Sequence, residues 1–120
     1  MSMIELGDYL TERNREFHAC LEACVKCLVA CEVCSEECLS GDDVATMCEC
    51  IRRCRDCTET CVSCVILLAR GSQGAADMCR ACVEACEACA AECGKYDDEV
   101  MKRCAEACRR CAEECRKIAA

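Results

Sequence analysis

Between residues 20 and 38, six cysteines recur at intervals of four, three, four, three and four: Cys20, Cys24, Cys27, Cys31, Cys34 and Cys38. That alternation keeps every thiol on one face of an α-helix. A seven-residue repeat drifts only about 20° per heptad on a straight helix, so the stripe hardly rotates along its length. Bundle helices ordinarily put Leu or Ile at such positions. Here sulfur takes their place, and three later segments follow nearly the same rule.

The second segment carries Cys48, Cys50, Cys54, Cys57, Cys61 and Cys64. From Cys50 onward the alternation is regular; Cys48 is off the stripe, and Met47 occupies the stripe position. The third carries Cys79, Cys82, Cys86, Cys89 and Cys93, and the fourth Cys104, Cys108, Cys111 and Cys115, with Met101 extending its stripe by one step. The five glycines and neighbouring polar residues punctuate the chain, and there is no proline. Met1 to Gly7 reads as a frayed lead-in, with Asp8 as a helix cap. Ser40-Gly41-Asp42-Asp43, Gly71-Ser72-Gln73-Gly74 and Gly94 to Asp98 read as breaks, with Asp97 or Asp98 capping the last helix. The expected helices are about 8–39, 44–69, 75–93 and 98–117. Short connections make sequential helices antiparallel. The expected fold is therefore all-α: one domain over residues 1–120, an antiparallel up-down-up-down four-helix bundle with a Cys-lined core.

Composition narrows the chemistry. Cysteine supplies 21 of 120 residues, while Phe, Tyr and Trp make up 2%. A few cysteines can serve as small hydrophobes, but 21 on four matched faces need another reason. A net charge of −8 argues against nucleic-acid binding. No stretch reaches the length of a membrane span. Dense cysteine in a small secreted chain would suggest disulfides. An odd count, helix-core spacing and a charged start without a signal-peptide core argue instead for free thiols in the cytoplasm.

Cysteines four apart on a helix have Cβ atoms about 5–6 Å apart. An ion held between two thiolates needs sulfurs separated by about twice a metal–sulfur bond of roughly 2.3 Å. Nine such pairs can be drawn without sharing a residue, Cys20/Cys24 and Cys111/Cys115 among them. Cys48, Cys64 and Cys79 are left as bridging or third ligands. Soft thiolates select Cu(I), Zn(II) or iron–sulfur clusters. Zinc wants four converging ligands and iron–sulfur clusters want loop-borne cysteines, whereas one straight helix offers only two. Each Cu(I) can replace one thiol proton and leave the interior charge unchanged, whereas a zinc tetrathiolate carries net negative charge into a dry core. Multiple Cu(I) ions per chain are therefore expected. Zinc or iron–sulfur binding and a thiol redox role are the alternatives. Seven Cys-x-x-Cys pairs raise the redox reading, but they lie mid-helix with no strand pattern nearby. No residue set suggests an enzyme.

One end of such a bundle gathers Phe17, Leu68, Ala75 and Ile118, an apolar plug. The other gathers Met47, Cys48, Met101, Asp97 and Asp98. Thioethers are soft, neutral ligands, so copper is expected to enter at the Met47/Met101 end. Val25, Val29, Val62 and Ile66 lie away from the stripes and favour an oligomer interface. His18 reads as a solvated surface residue.

These interleaved Cys-x-x-x-Cys and Cys-x-x-Cys motifs, from about Asp8 to Ile118, resemble the bacterial copper storage proteins, in particular their cytosolic branch. The resemblance implies a Cys-lined four-helix bundle that stores or sequesters Cu(I), a homotetramer, and copper chaperones as possible donors or acceptors. It also implies histidine at the mouth, whereas the single histidine here, His18, sits toward the plugged end.

Overall fold

The computed structural model describes residues 4–120. Four helices run α1 His18–Ser40, α2 Cys48–Arg70, α3 Ala75–Cys93 and α4 Glu99–Ala119. Each packs on two neighbours, α1 and α3 both contacting α2 and α4. This is the up-down-up-down arrangement that short connections impose, and the described residues contain no strand.

The helix ends follow local chemistry. Gly71 adopts φ 63°, a left-handed conformation that costs glycine little. Its N–H donates to the Leu68 carbonyl at 3.0 Å, and the Ser72 N–H donates to the Leu67 carbonyl at 2.9 Å. Two otherwise orphaned carbonyls of α2 are thereby satisfied. Asp98 caps α4, its carboxylate accepting the Met101 N–H at 3.1 Å. Asp97 instead pairs with Lys102 at 2.6 Å.

Two helix starts differ from the sequence expectation. The first helix begins at His18, ten residues later than Asp8. Asp8 lies in a separate 3-10 turn, Leu6–Tyr9, where its carboxylate accepts the Glu5 N–H at 2.8 Å. Asn14 interrupts the chain again: its amide oxygen accepts the Thr11 N–H at 2.8 Å, and its amide N–H donates to the Ala69 carbonyl at 2.7 Å. Side chains that bond nearby backbone compete with helix formation, and here one also ties the segment to the end of α2. The expected lead-in is thus folded where it is described. Leu6, Leu10 and Phe17 pack against the core, while Met1 to Met3 lie outside the described residues.

The second helix begins at Cys48 rather than near Val44. Asp43 does accept the Thr46 N–H, at 3.3 Å. It caps a tight turn in which the Met47 and Cys48 N–H groups bond three residues back, to the Val44 and Ala45 carbonyls. Thr46 strengthens that turn by donating its hydroxyl to Asp43 at 2.6 Å.

Candidate metal centre

All 21 cysteines are free thiols, and 20 of them are buried. The stripes on four helices face one axis, so the core is a column of sulfur. Burial is nearly complete: Cys24, Cys57, Cys86 and Cys108, one from each helix, are all 0% exposed.

Sulfurs meet mainly across helices. Toward the plugged end, Cys20 lies 3.7 Å from Cys115 and Cys24 lies 3.7 Å from Cys111. Midway, Cys57 is 3.5 Å from both Cys27 and Cys86, and Cys27 is 3.7 Å from Cys108. Nearer the mouth, Cys31 is 3.8 Å from Cys104, and Cys54 is 3.7 Å from Cys89. Cys50 and Cys93 make the shortest of these contacts, 3.2 Å. Within single helices, Cys82/Cys86, Cys89/Cys93 and Cys111/Cys115 approach to 3.8–3.9 Å. Three ligands spaced evenly around an ion, with bonds of about 2.3 Å, stand about 4 Å apart. Many triples in the column come close to that spacing.

The fold also builds sets of four. Cys24/Cys64/Cys82/Cys115, Cys27/Cys57/Cys61/Cys86 and Cys31/Cys89/Cys104/Cys108 each have all Sγ atoms within 4.8 Å of one another. This corrects the expectation that geometry disfavours zinc because one helix offers two ligands. Neighbouring helices supply the rest, and a sequence periodicity cannot show which thiols from different helices share a level. Charge, not ligand number, discriminates between the ions.

Buried thiols favour the neutral form. Hydrogen bonds with Cys104 hold Cys31 and Cys93 above the ordinary thiol range, and burial adds to the effect. Cys38, beside the mouth, is pushed up to about 11, first by burial and then by the neighbouring Cys50. Cys89 moves the other way, to about 6: Cys104 opposes the shift, but the thiols of Cys108, Cys31 and Cys54 stabilise its sulfur and prevail. Protonated thiols thus sit beside thiols that accept from them, a network that lets a cation replace a proton locally.

The two ends differ. At one, Leu21, Leu68 and Ala75 are at most 2% exposed, and Phe17 and Ile118 pack against the core. Leu21 was missed as a plug residue because it lies just beside the Cys stripe. At the other end a cavity of about 280 Å³ is lined by Cys38, Met47 and Met101, with carboxylates from Glu37, Asp42 and Asp98. Met101 is 5% exposed and Met47 partly buried. Cys48 is the exception among the candidate ligands: it is exposed. It precedes Cys50 by two residues, which at about 100° per residue turns it to the outer side of α2. His18, half-exposed at the plugged end, lies 3.4 Å from Glu22.

The sequence profile described as "Copper storage protein" matches residues 13–120. No curated protein sequence matches the chain. Among solved structures, the Cu(I)-bound copper storage protein BsCsp3 is 39% identical, with a TM-score of 0.83, over 87% of this chain and 98% of its own. The apo form of copper storage protein 3 from Bacillus subtilis is also 39% identical, with a TM-score of 0.81, over 87% and 99%. A cytosolic copper storage protein from Streptomyces lividans, solved with five coppers, is 32% identical with a TM-score of 0.84, over 89% and 94%. The Streptomyces protein loaded with 10 copper equivalents is likewise 32% identical with a TM-score of 0.84, over 99% and 92%.

Proposed function

Since the chain belongs to the copper storage protein family, we propose that it holds many Cu(I) ions in the thiol column of its bundle, as a store rather than a catalyst. The observation that carries this reading is the enclosure of 20 free thiols in one continuous core. Thiolate is a ligand class that suits Cu(I) among the soft metals. Each Cu(I) that displaces a proton leaves the dry interior uncharged, so loading can proceed along the whole column. The ligands on this reading are the 20 buried cysteines. Cys48 stands outside the column, so it contributes nothing to capacity.

Copper enters at the mouth. Met47 and Met101 put thioethers on the wall of the cavity, and Cys38 is the first buried thiol beyond them. The opposite end is closed by leucine, alanine and phenylalanine. The carboxylates around the mouth favour a cationic or neutral copper donor over an anionic complex. A copper chaperone with a basic face is a donor of that kind.

Two further parts complete the reading. The location is the cytosol, as described for the Streptomyces protein and as suits a chain of free thiols. Assembly is a homotetramer. The exposed Val29, Val62 and Ile66, on the outer sides of the adjacent helices α1 and α2, supply an apolar surface for it.

The test is an anaerobic titration of the reduced protein with Cu(I), counting ions per chain and protons released. The expected result is at least ten Cu(I), bound tightly enough to resist a Cu(I) chelator, with no more than one proton released per ion. Saturation at one or two ions would overturn the storage reading.

A further inference from the structure

Two of the sets of four take one thiol from each of the four helices. Nearer the plugged end these are Cys24, Cys64, Cys82 and Cys115; nearer the mouth they are Cys34, Cys54, Cys93 and Cys104. In each quartet all Sγ atoms lie within 4.8 Å of one another, and every member is buried. Edges are 3.9 Å for Cys24–Cys115, Cys54–Cys93 and Cys54–Cys104, and 4.0 Å for Cys34–Cys93. Four sulfurs arranged tetrahedrally around an ion, with bonds of about 2.3 Å, have edges of about 3.8 Å. Three of the six edges of the mouth-side quartet and one of the other stand near that spacing, and no edge of either exceeds 4.8 Å, so small side-chain shifts would close each into a tetrathiolate.

We propose that the copper-free bundle binds two four-coordinate, thiophilic divalent ions of the Zn(II) or Cd(II) class, one in each of these quartets. Binding exchanges four thiol protons for one dication, so each filled site is left with a net charge of −2. That charge limits the number. Cys24 and Cys34 are ten residues apart on α1, which separates the two sites by about 15 Å. A third ion in the Cys27/Cys57/Cys61/Cys86 quartet would put another dianion between them, with Cys27 only about 4.5 Å along the helix from Cys24. Cu(I) has no such limit, because its exchange for a proton is charge-neutral. The divalent state is therefore a second, low-capacity cargo that the bundle carries when copper is scarce and gives up as copper loads.

Reduced, metal-free protein is titrated anaerobically with ¹¹³Cd(II) and, separately, with Zn(II), with proton release and ¹¹³Cd NMR as readouts. The expected result is two ions per chain, about four protons released per ion, and two resonances in the tetrathiolate range. Cu(I) added afterwards expels both. Cys24→Ser and Cys104→Ser each remove one resonance and reduce the count from two to one, while Cys48→Ser leaves both. Circular dichroism and the Cu(I) count establish that each variant is folded. No divalent binding against a weak chelator, uptake that keeps rising with the thiol count, or resonances of two- or three-sulfur coordination would each overturn the proposal. So would a count of two that survives both serine variants. None of these results bears on copper storage, which the Cu(I) titration decides independently.

Discussion

The plugged end permits a test that separates what holds the bundle together from what fills it. Leu68 is 0% exposed and has no donor atom, so Leu68→Ala perturbs packing without touching the ligand set. Burying and then deleting a leucine side chain costs about 2–5 kcal/mol, more where the surroundings cannot collapse into the gap. Leu21 and Ala75 share this end from other helices, and one alanine cannot fill the space, so about 3 kcal/mol is expected. A domain of 120 residues has an unfolding entropy of roughly 0.25 kcal/mol/K, which makes 3 kcal/mol a fall in Tm of about 12 °C. The assay is far-ultraviolet circular dichroism of the reduced, metal-free protein, with the Cu(I) count measured on the same sample. Capacity should stay within one ion of the parent. A Tm loss under about 3 °C would mean that Leu68 is not part of a tightly packed plug. A capacity that dropped by several ions with the fold intact would mean that the plug shapes the copper sites, contrary to the separation drawn here.

Replacing Met47 and Met101 together with Leu should slow Cu(I) loading several-fold in stopped-flow measurements while leaving capacity nearly intact; an unchanged rate would place the way in elsewhere. Cys38 is raised from the ordinary value of 9.0 to about 11 in the fold, so the native state favours its neutral thiol. Its contribution to stability is complete below pH 9 and disappears as pH rises toward 11. Urea midpoints of the metal-free protein should fall across that interval, and Cys38→Ala should flatten the fall. Ile66→Glu puts a charge on the exposed outer side of α2; on the proposed tetrameric assembly it should shift the protein to smaller species in light scattering, with copper capacity per chain unchanged.

Much of the site could be read from spacing. A four-three alternation fixes which side of a helix a residue occupies, whatever that helix packs against. The inward set therefore followed from Cys20 to Cys38 and from the three later stripes, and Cys48 was already out of phase. The breaks at Gly71 and Asp98 were legible for the same local reason, since a left-handed glycine and a capping carboxylate act within three residues of themselves. The start of α1 was not legible. The segment before it is held partly by a bond from Asn14 to Ala69, 55 residues away, and no local window of sequence contains both partners.

The sequence by itself determined that sulfur would form the core, because helical periodicity is a property of one chain segment. Only the tertiary structure decided which sulfurs are neighbours, because the relative height of four helices depends on their loops and on how their side chains interlock. That height brings Cys24, Cys64, Cys82 and Cys115 to one level and turns pairs on single helices into triples and quartets between them.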